Sequence, residues 1–170
     1  MDQRFFIMSI ENVKQYLEPM GLLPRVREFD VSSATVELAA TALGVDGARI
    51  AKTLSLQGQG DSCILVVCAG DYKLDNAKFK ARFGFKPKML SPEDALRMTG
   101  HAVGGICPFA LPSGVSVYLD LSLRRFDTVF PAAGSSNSAV ELSCDELHAA
   151  SGAQGWEDLC RPRQTENTVN

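Results

Sequence analysis

One hairpin signal constrains the fold of this chain more than any other feature. The apolar run Ile64–Ala69, entered through Cys63, follows the turn-rich Gly-Gln-Gly-Asp at Gly58–Asp61, and Thr53–Gln57 precedes that turn. Two β-rich runs on either side of a glycine-containing turn read as antiparallel neighbours. Helical and strand-like segments interleave around this pair. Ser9 is placed to cap a helix to about Met20, with Ile10, Val13, Leu17 and Met20 at helical spacing. Arg25–Val31 reads as a short strand and Thr35–Leu43 as a helix stopped by Gly44. Asp46 is placed to cap a single turn ahead of Thr53–Gln57. Asp75 opens a helix over Asn76–Phe83, and Ser91, Pro92 and Asp94 open another that Gly100 ends. Val115–Leu119, Thr128–Phe130 and Ala139–Leu142 are β-rich; Ser143 and Glu146 form a capping box for a helix to about Ala150. Such a mixture suits an α+β fold, a mixed, partly antiparallel β-sheet with surrounding helices, better than a purely parallel doubly wound one.

At 170 residues, with 45% hydrophobic and 22% charged residues, the chain fits one domain with a real core. No linker or repeat interrupts it, so the expected division is one domain over 1–160 and a polar, disordered tail over 161–170. No run approaches the roughly 20 apolar residues of a membrane span. The N-terminus lacks the apolar core and small-residue cleavage site of a secretory signal, so the expected location is cytoplasmic.

Five cysteines, Cys63, Cys68, Cys107, Cys144 and Cys160, contain no Cys-x-x-Cys spacing. With only His101 and His148 to join them, no zinc ligand set emerges, and the expectation is neither metal nor cofactor. No Gly-x-Ser-x-Gly elbow supports a serine triad. The net charge of −3 argues against a general nucleic-acid binder, so any nucleic-acid contact must be local. One segment supplies it. Lys73, Lys78, Lys80, Arg82, Lys86 and Lys88 face only Asp75 between residues 73 and 88. On the expected helix, Lys78 and Arg82 share one face while Phe79 and Phe83 share another. The plain alternative is an ordinary solvated amphipathic helix.

Two motifs stand out: Arg-Ile-Ala-Lys-Thr-Leu-Ser-Leu at Arg49–Leu56, with Lys52 at a helix-to-strand junction, and Gly-His-Ala-Val-Gly-Gly-Ile-Cys-Pro-Phe at Gly100–Phe109. Neither is a phosphate cradle. Ala51 stands where a Walker loop needs glycine, and Gly100, Gly104 and Gly105 do not space as Gly-x-Gly-x-x-Gly. Together, Lys52-Thr53-Leu54, Gly100, Val103-Gly104-Gly105-Ile106, Pro108, Asp120 and Glu141-Leu142 resemble the YbaK/EbsC family, which shares its fold with the editing domain inserted in bacterial prolyl-tRNA synthetase. The likeness runs from about Ser9 to Leu159. One departure is Ala110, where many relatives carry glycine two positions after the proline.

The resemblance implies hydrolysis of the ester of a mischarged aminoacyl-tRNA, with aminoacyl-tRNA as partner and an aminoacyl-tRNA synthetase as a second candidate. Lys52, Gly104 and Gly105 are the catalytic candidates. A lysine with an ordinary pKa near 10.4 stays protonated, so Lys52 reads as an electrostatic anchor for the 3′-terminal adenosine or the carbonyl. Glycines without side chains let backbone N–H groups approach a substrate carbonyl. Gly100, His101, Val103, Ile106, Cys107, Pro108, Asp120, Ser136 and Asn137 are the substrate-binding candidates, and Lys73, Lys78, Lys80 and Arg82 the tRNA-binding ones. Several have a second reading. Asp120 either holds the substrate amine or caps a turn, His101 is otherwise a satisfied loop histidine, and Ser135–Asn137 otherwise a simple loop. Cys107 is the candidate thiol nucleophile of a competing hydrolase. A non-catalytic module binding the same aminoacyl-adenosine end is the other alternative.

Overall fold

The computed structural model describes residues 3–164, with side chains from Ser9 onward. Helix α1 spans Gln3–Leu17, strand β1 Val26–Glu28 and α2 Val36–Leu43. Strands β2 (Ile50–Gln57), β3 (Cys63–Ala69) and β4 (Tyr72–Leu74) lead into α3 (Asn76–Phe83) and α4 (Pro92–Thr99). Then follow β5 (Val115–Asp120), β6 (Thr128–Pro131), β7 (Ser138–Val140), β8 (Leu142–Ser143), α5 (Cys144–Ser151), β9 (Trp156–Glu157) and β10 (Cys160–Pro162).

The expected hairpin is the centre of the molecule. β2 and β3 pair antiparallel from Ala51 opposite Ala69 to Gln57 opposite Cys63. They sit in the middle of a six-stranded sheet, β8-β6-β2-β3-β5-β9, in which β6 runs parallel to β2 and β5 parallel to β3. The sheet is therefore mixed and the fold α+β, as the sequence indicates. Every residue of β3 is buried, which explains why its sequence is apolar on both faces. One face packs Val13, Leu17, Leu65, Val67, Leu119 and Leu147 into the main core. The other covers Leu56, Val66 and Cys68 with Phe79 of α3, while α2 lays Ala39 over Ile50 and Phe130.

Most capping signals act as read. The side chains of Asp46, Asp75 and Ser91 accept the first N–H groups of their helices, and Ser143 and Glu146 close a reciprocal box; Thr35, read as the start of α2, caps it instead. Ser9 differs. It lies inside α1, because a helix continued N-terminally satisfies its backbone, and its hydroxyl bonds to His101 instead. β2 begins at Ile50, so Lys52 is its third residue rather than a junction residue. The expected tail is also corrected at its start: Arg161 and Pro162 pair with Lys73 and Tyr72, since β10 covers the free edge of β4. Residues 165–170 lie outside the described residues. No described helix is long and apolar enough to cross a membrane.

Candidate functional site

The site is a break in one strand edge. β6 pairs with β2 only as far as Ala51 opposite Pro131. Farther along, the Lys88–Leu90 segment takes over: Gln57 N–H donates to Lys88 O, and Leu90 N–H donates to Ser55 O. Backbone groups alternate sides along a strand, so those of Thr53, like those of Ser55 and Gln57, point away from β3. Thr53 thus sits at an uncovered stretch of sheet edge. A cleft of about 360 Å³ fills the gap. Ala51, Thr53 and Ser55 border it along β2, Val36 and Ala39 close one side from α2, and Val103, Gly104 and Ile106 close another from the glycine loop.

Lys52 borders the same cleft. Its neighbours Ala51 and Thr53 face the main core side, so Lys52 reaches the cleft from the opposite sheet face, where α2 packs on Ile50. Among the described residues it has neither an ion-pair nor a hydrogen-bond partner. Nearby Arg49, by contrast, is held by Thr128 and by Glu141 at 3.5 Å. Thr53 is the residue that sequence reasoning passed over. Its Oγ1 is buried without a hydrogen-bond partner. A buried hydroxyl normally has one, so this orphan is an unsatisfied polar atom on a residue that borders the cleft. The only sequence signal for it was its position beside Lys52.

The two loop glycines do different work. Gly104 has φ +96°, and a Cβ there would meet Ala34 and Ser136 at 3.2 and 3.5 Å. Among the described residues its N–H has no acceptor. Gly105 is needed for packing, because a Cβ would come within 2.8 Å of the Ser135 backbone. Its N–H already donates to Ala102 O at 2.9 Å. The expectation that both glycines present free N–H groups is corrected for Gly105.

The structure divides the remaining candidates. Val103 and Ile106 line the cleft, and Ser136 stands beside Gly104. Gly100 and Pro108 only shape the loop: Gly100 closes α4 at φ +77°, and Pro108 is buried at the loop exit. Two residues on, Ala110 adopts φ +52°, so the chain keeps here the left-handed conformation that glycine accommodates more easily.

His101 and Cys107 are corrected as substrate-binding residues. Both are buried behind the loop, outside the cleft lining. His101 Nε2 lies 2.8 Å from Phe109 O, an obligate acceptor, so Nε2 carries the proton and Nδ1 accepts from Ser9 Oγ. Burial holds its pKa below the ordinary histidine value. Cys107 Sγ lies 3.5 Å from that protonated Nε2, which cannot take its proton, and burial pushes the thiol up to about 12. A nucleophilic Cys–His pair is thereby excluded in this arrangement.

Asp120 is corrected too. Its carboxylate is 1% exposed and accepts the N–H groups of Ser122, Leu159 and Cys160 at 2.9–3.0 Å, tying β5 to the chain before β10. Asn137 is a brace: it donates to Phe29 O and accepts from Ser135 Oγ. In the basic segment, Lys78 pairs with Asp158 at 2.8 Å and Arg82 with Glu157 at 2.6 Å, whereas Lys73, Lys80, Lys86 and Lys88 are exposed. Among the described residues no three His, Cys, Asp or Glu side chains gather as a metal site.

A cleft at a broken sheet edge, bordered among the described residues by one unpaired cation, by Thr53 with its orphan hydroxyl and by a glycine loop, is the candidate site on this α+β scaffold. The chain belongs to the aminoacyl-tRNA editing domain family, whose pattern it matches over residues 31–150. It is 51% identical over 154 residues to the uncharacterized protein YwhH of Bacillus subtilis, covering 91% of this chain and 98% of that one. It is 27% identical over 121 residues to EbsC of Enterococcus faecalis, a proposed Cys-tRNA(Pro)/Cys-tRNA(Cys) deacylase, covering 71% and 74% of the two chains. A crystal structure of a proposed trans-editing enzyme for prolyl-tRNA synthetase superposes with a TM-score of 0.81 at 30% identity, over 90% of this chain and 97% of that one.

Proposed function

We propose that this protein is a trans-editing deacylase that removes the wrong amino acid from a mischarged tRNA. The observation that carries the reading is the meeting of Lys52, Thr53 and Gly104 in one cleft, within a chain of the editing family. Water adds to the ester carbonyl, the bond to the ribose oxygen breaks, and the products are a free amino acid and a ribose hydroxyl that regains a proton. Such chemistry requires chiefly a positioned water and a stabilised oxyanion. The Gly104 N–H, which lacks an acceptor, is the donor for that oxyanion, and Lys52 anchors the terminal adenosine or the carbonyl. Burial removes Cys107 from the reaction, so water is the nucleophile.

The phosphates of the acceptor stem meet the segment of residues 73–88. Lys86 and Lys88 carry most of that contact, since they lead directly into Met89 and Leu90 of the cleft wall. Lys73 and Lys80 add exposed charge, while Lys78 and Arg82 are partly neutralised by their acidic partners. A synthetase that produces the mischarged tRNA is the natural protein partner, and the cytoplasm the natural setting.

The test is deacylation of a panel of mischarged tRNAs by the purified protein and by Lys52→Ala. Removing a transition-state electrostatic group costs on the order of 10²–10³ in turnover, so the variant should be slower by about a hundredfold with an unchanged melting temperature. Equal turnover by a folded Lys52→Ala protein refutes the role of Lys52. Failure of the wild type on every tRNA refutes the activity.

A further inference from the structure

We infer that the cleft receives the acyl end of its substrate with the α-nitrogen uncharged, as free amine rather than ammonium, held by the uncharged backbone groups of Thr53. This deepens the deacylase reading and rests on it. With Asp120 committed to three backbone N–H groups, no acid remains for the amine: among the described residues the lining contains Lys52 and no carboxylate. An ammonium entering there would leave water for a wall whose charge has its own sign, which disfavours the charged form.

The charged groups on the surrounding elements do not reverse that balance. Glu37 on α2 and Glu93 on α4 are exposed and outside the lining, as is Lys88 beside Met89. Arg49 stacks on Phe130 at 5.0 Å and is engaged by Glu141. His101 and Cys107 are buried behind the loop.

Thr53 suits a neutral amine in hydrogen-bonding terms. An amine has a lone pair to accept with and two N–H groups to donate, whereas an ammonium can only donate. On the open strand edge the Thr53 N–H offers a donor and the Thr53 carbonyl an acceptor. The same set fits an α-hydroxyl. The inferred ligand class is therefore esters with an uncharged α-substituent, α-hydroxyacyl esters included.

The experiment compares two esters of one tRNA, alanyl and lactyl, which differ in bearing an α-amine or an α-hydroxyl. Turnover is followed from pH 5.5 to 8.5 with spontaneous hydrolysis subtracted. α-Amino groups titrate near 7.7–8.0 or, when esterified, somewhat lower. Expected is a kcat/KM for the alanyl ester that falls about tenfold per pH unit below its amine pKa, a flat lactyl profile, and convergence at high pH. A flat alanyl profile, or a lactyl ester about a hundredfold poorer at every pH, overturns the inference.

A binding arm separates this from the activity itself. The 3′-amide analogues, alanylamido- and lactylamido-adenosine, cannot turn over as esters; calorimetry at pH 6.0 and 8.5 should show only the alanyl analogue tightening with pH. If that occurs without turnover of either ester, the deacylase reading fails and the inference stands. Alanyl binding that weakens as pH rises, or no binding of either analogue, sinks the inference.

Discussion

The open edge of β2 and the C-terminal end of β5 are both places where polar groups meet the core, and they are built in opposite ways. At β5, Asp120 is met on both oxygens by three N–H groups and is 1% exposed. At β2, Thr53 Oγ1 has no partner and Lys52 no counter-charge among the described residues. A polar group whose bonds are complete within the chain fixes the fold, because losing any partner strands a buried donor. One whose bonds are incomplete is free to gain them from a ligand. Chemical type alone does not separate the two: the aspartate is structural, and the modest threonine borders the cleft.

Breaking the complete site should have the larger effect on stability. Each stranded buried donor costs about 1–3 kcal/mol, so Asp120→Ala should lower the unfolding free energy by roughly 3–5 kcal/mol in urea titration. Deacylation per folded molecule should persist, and its selective loss in a stable Asp120 variant would return this carboxylate to the active site. Next in size is the basic segment. Lys86→Ala with Lys88→Ala should weaken tRNA binding by about tenfold near physiological salt and reduce its salt dependence, while Lys78→Ala with Arg82→Ala should do less. Equal losses would mean that the whole α3 face meets the tRNA. Hydrolysis of a short aminoacyl-nucleotide is the control that neither pair should move.

A smaller effect sharpens the picture of the loop. An L-residue in the left-handed region is strained by about 1–2 kcal/mol, partly offset by glycine's greater entropy loss on folding. Ala110→Gly should therefore stabilise the protein by roughly 0.5–1 kcal/mol, read as a rise in melting temperature, with turnover unchanged. The smallest expected effect is on catalysis by Cys107→Ala. Its turnover should stay within about twofold of wild type, because a buried thiol beside a protonated Nε2 is no nucleophile. A large fall in turnover without unfolding would restore the thiol mechanism.

Much of the fold was legible because its signals are local. The turn at Gly58–Asp61 and the caps at Asp75, Ser91 and Ser143 act over three or four residues, and each forms as read. β4, β9 and β10 were not legible. They are two or three residues long and exist only because a distant strand offers an edge, as Trp156 finds at Leu119. The site shows the same split. Lys52 and the Val103–Ile106 stretch come together as their motifs suggest. His101 and Cys107, equally close in sequence to the loops that form the cleft, turn into the interior, where His101 bonds Phe109 and Ser9, while half-buried Asn137 braces Phe29.

By itself, then, the sequence determined the central hairpin, the helix boundaries set by caps, the mixed character of the sheet and the family to which the chain belongs, because each is written in short-range chemistry or in motif spacing. Tertiary structure alone decided which polar residues are left unsatisfied. Whether Asp120 or Thr53 has an unmet hydrogen bond depends on where Leu159, Cys160, Pro131 and Leu90 arrive from far along the chain. Hydrogen bonds act over about 3 Å, so only the packed fold settles which donors and acceptors come within reach.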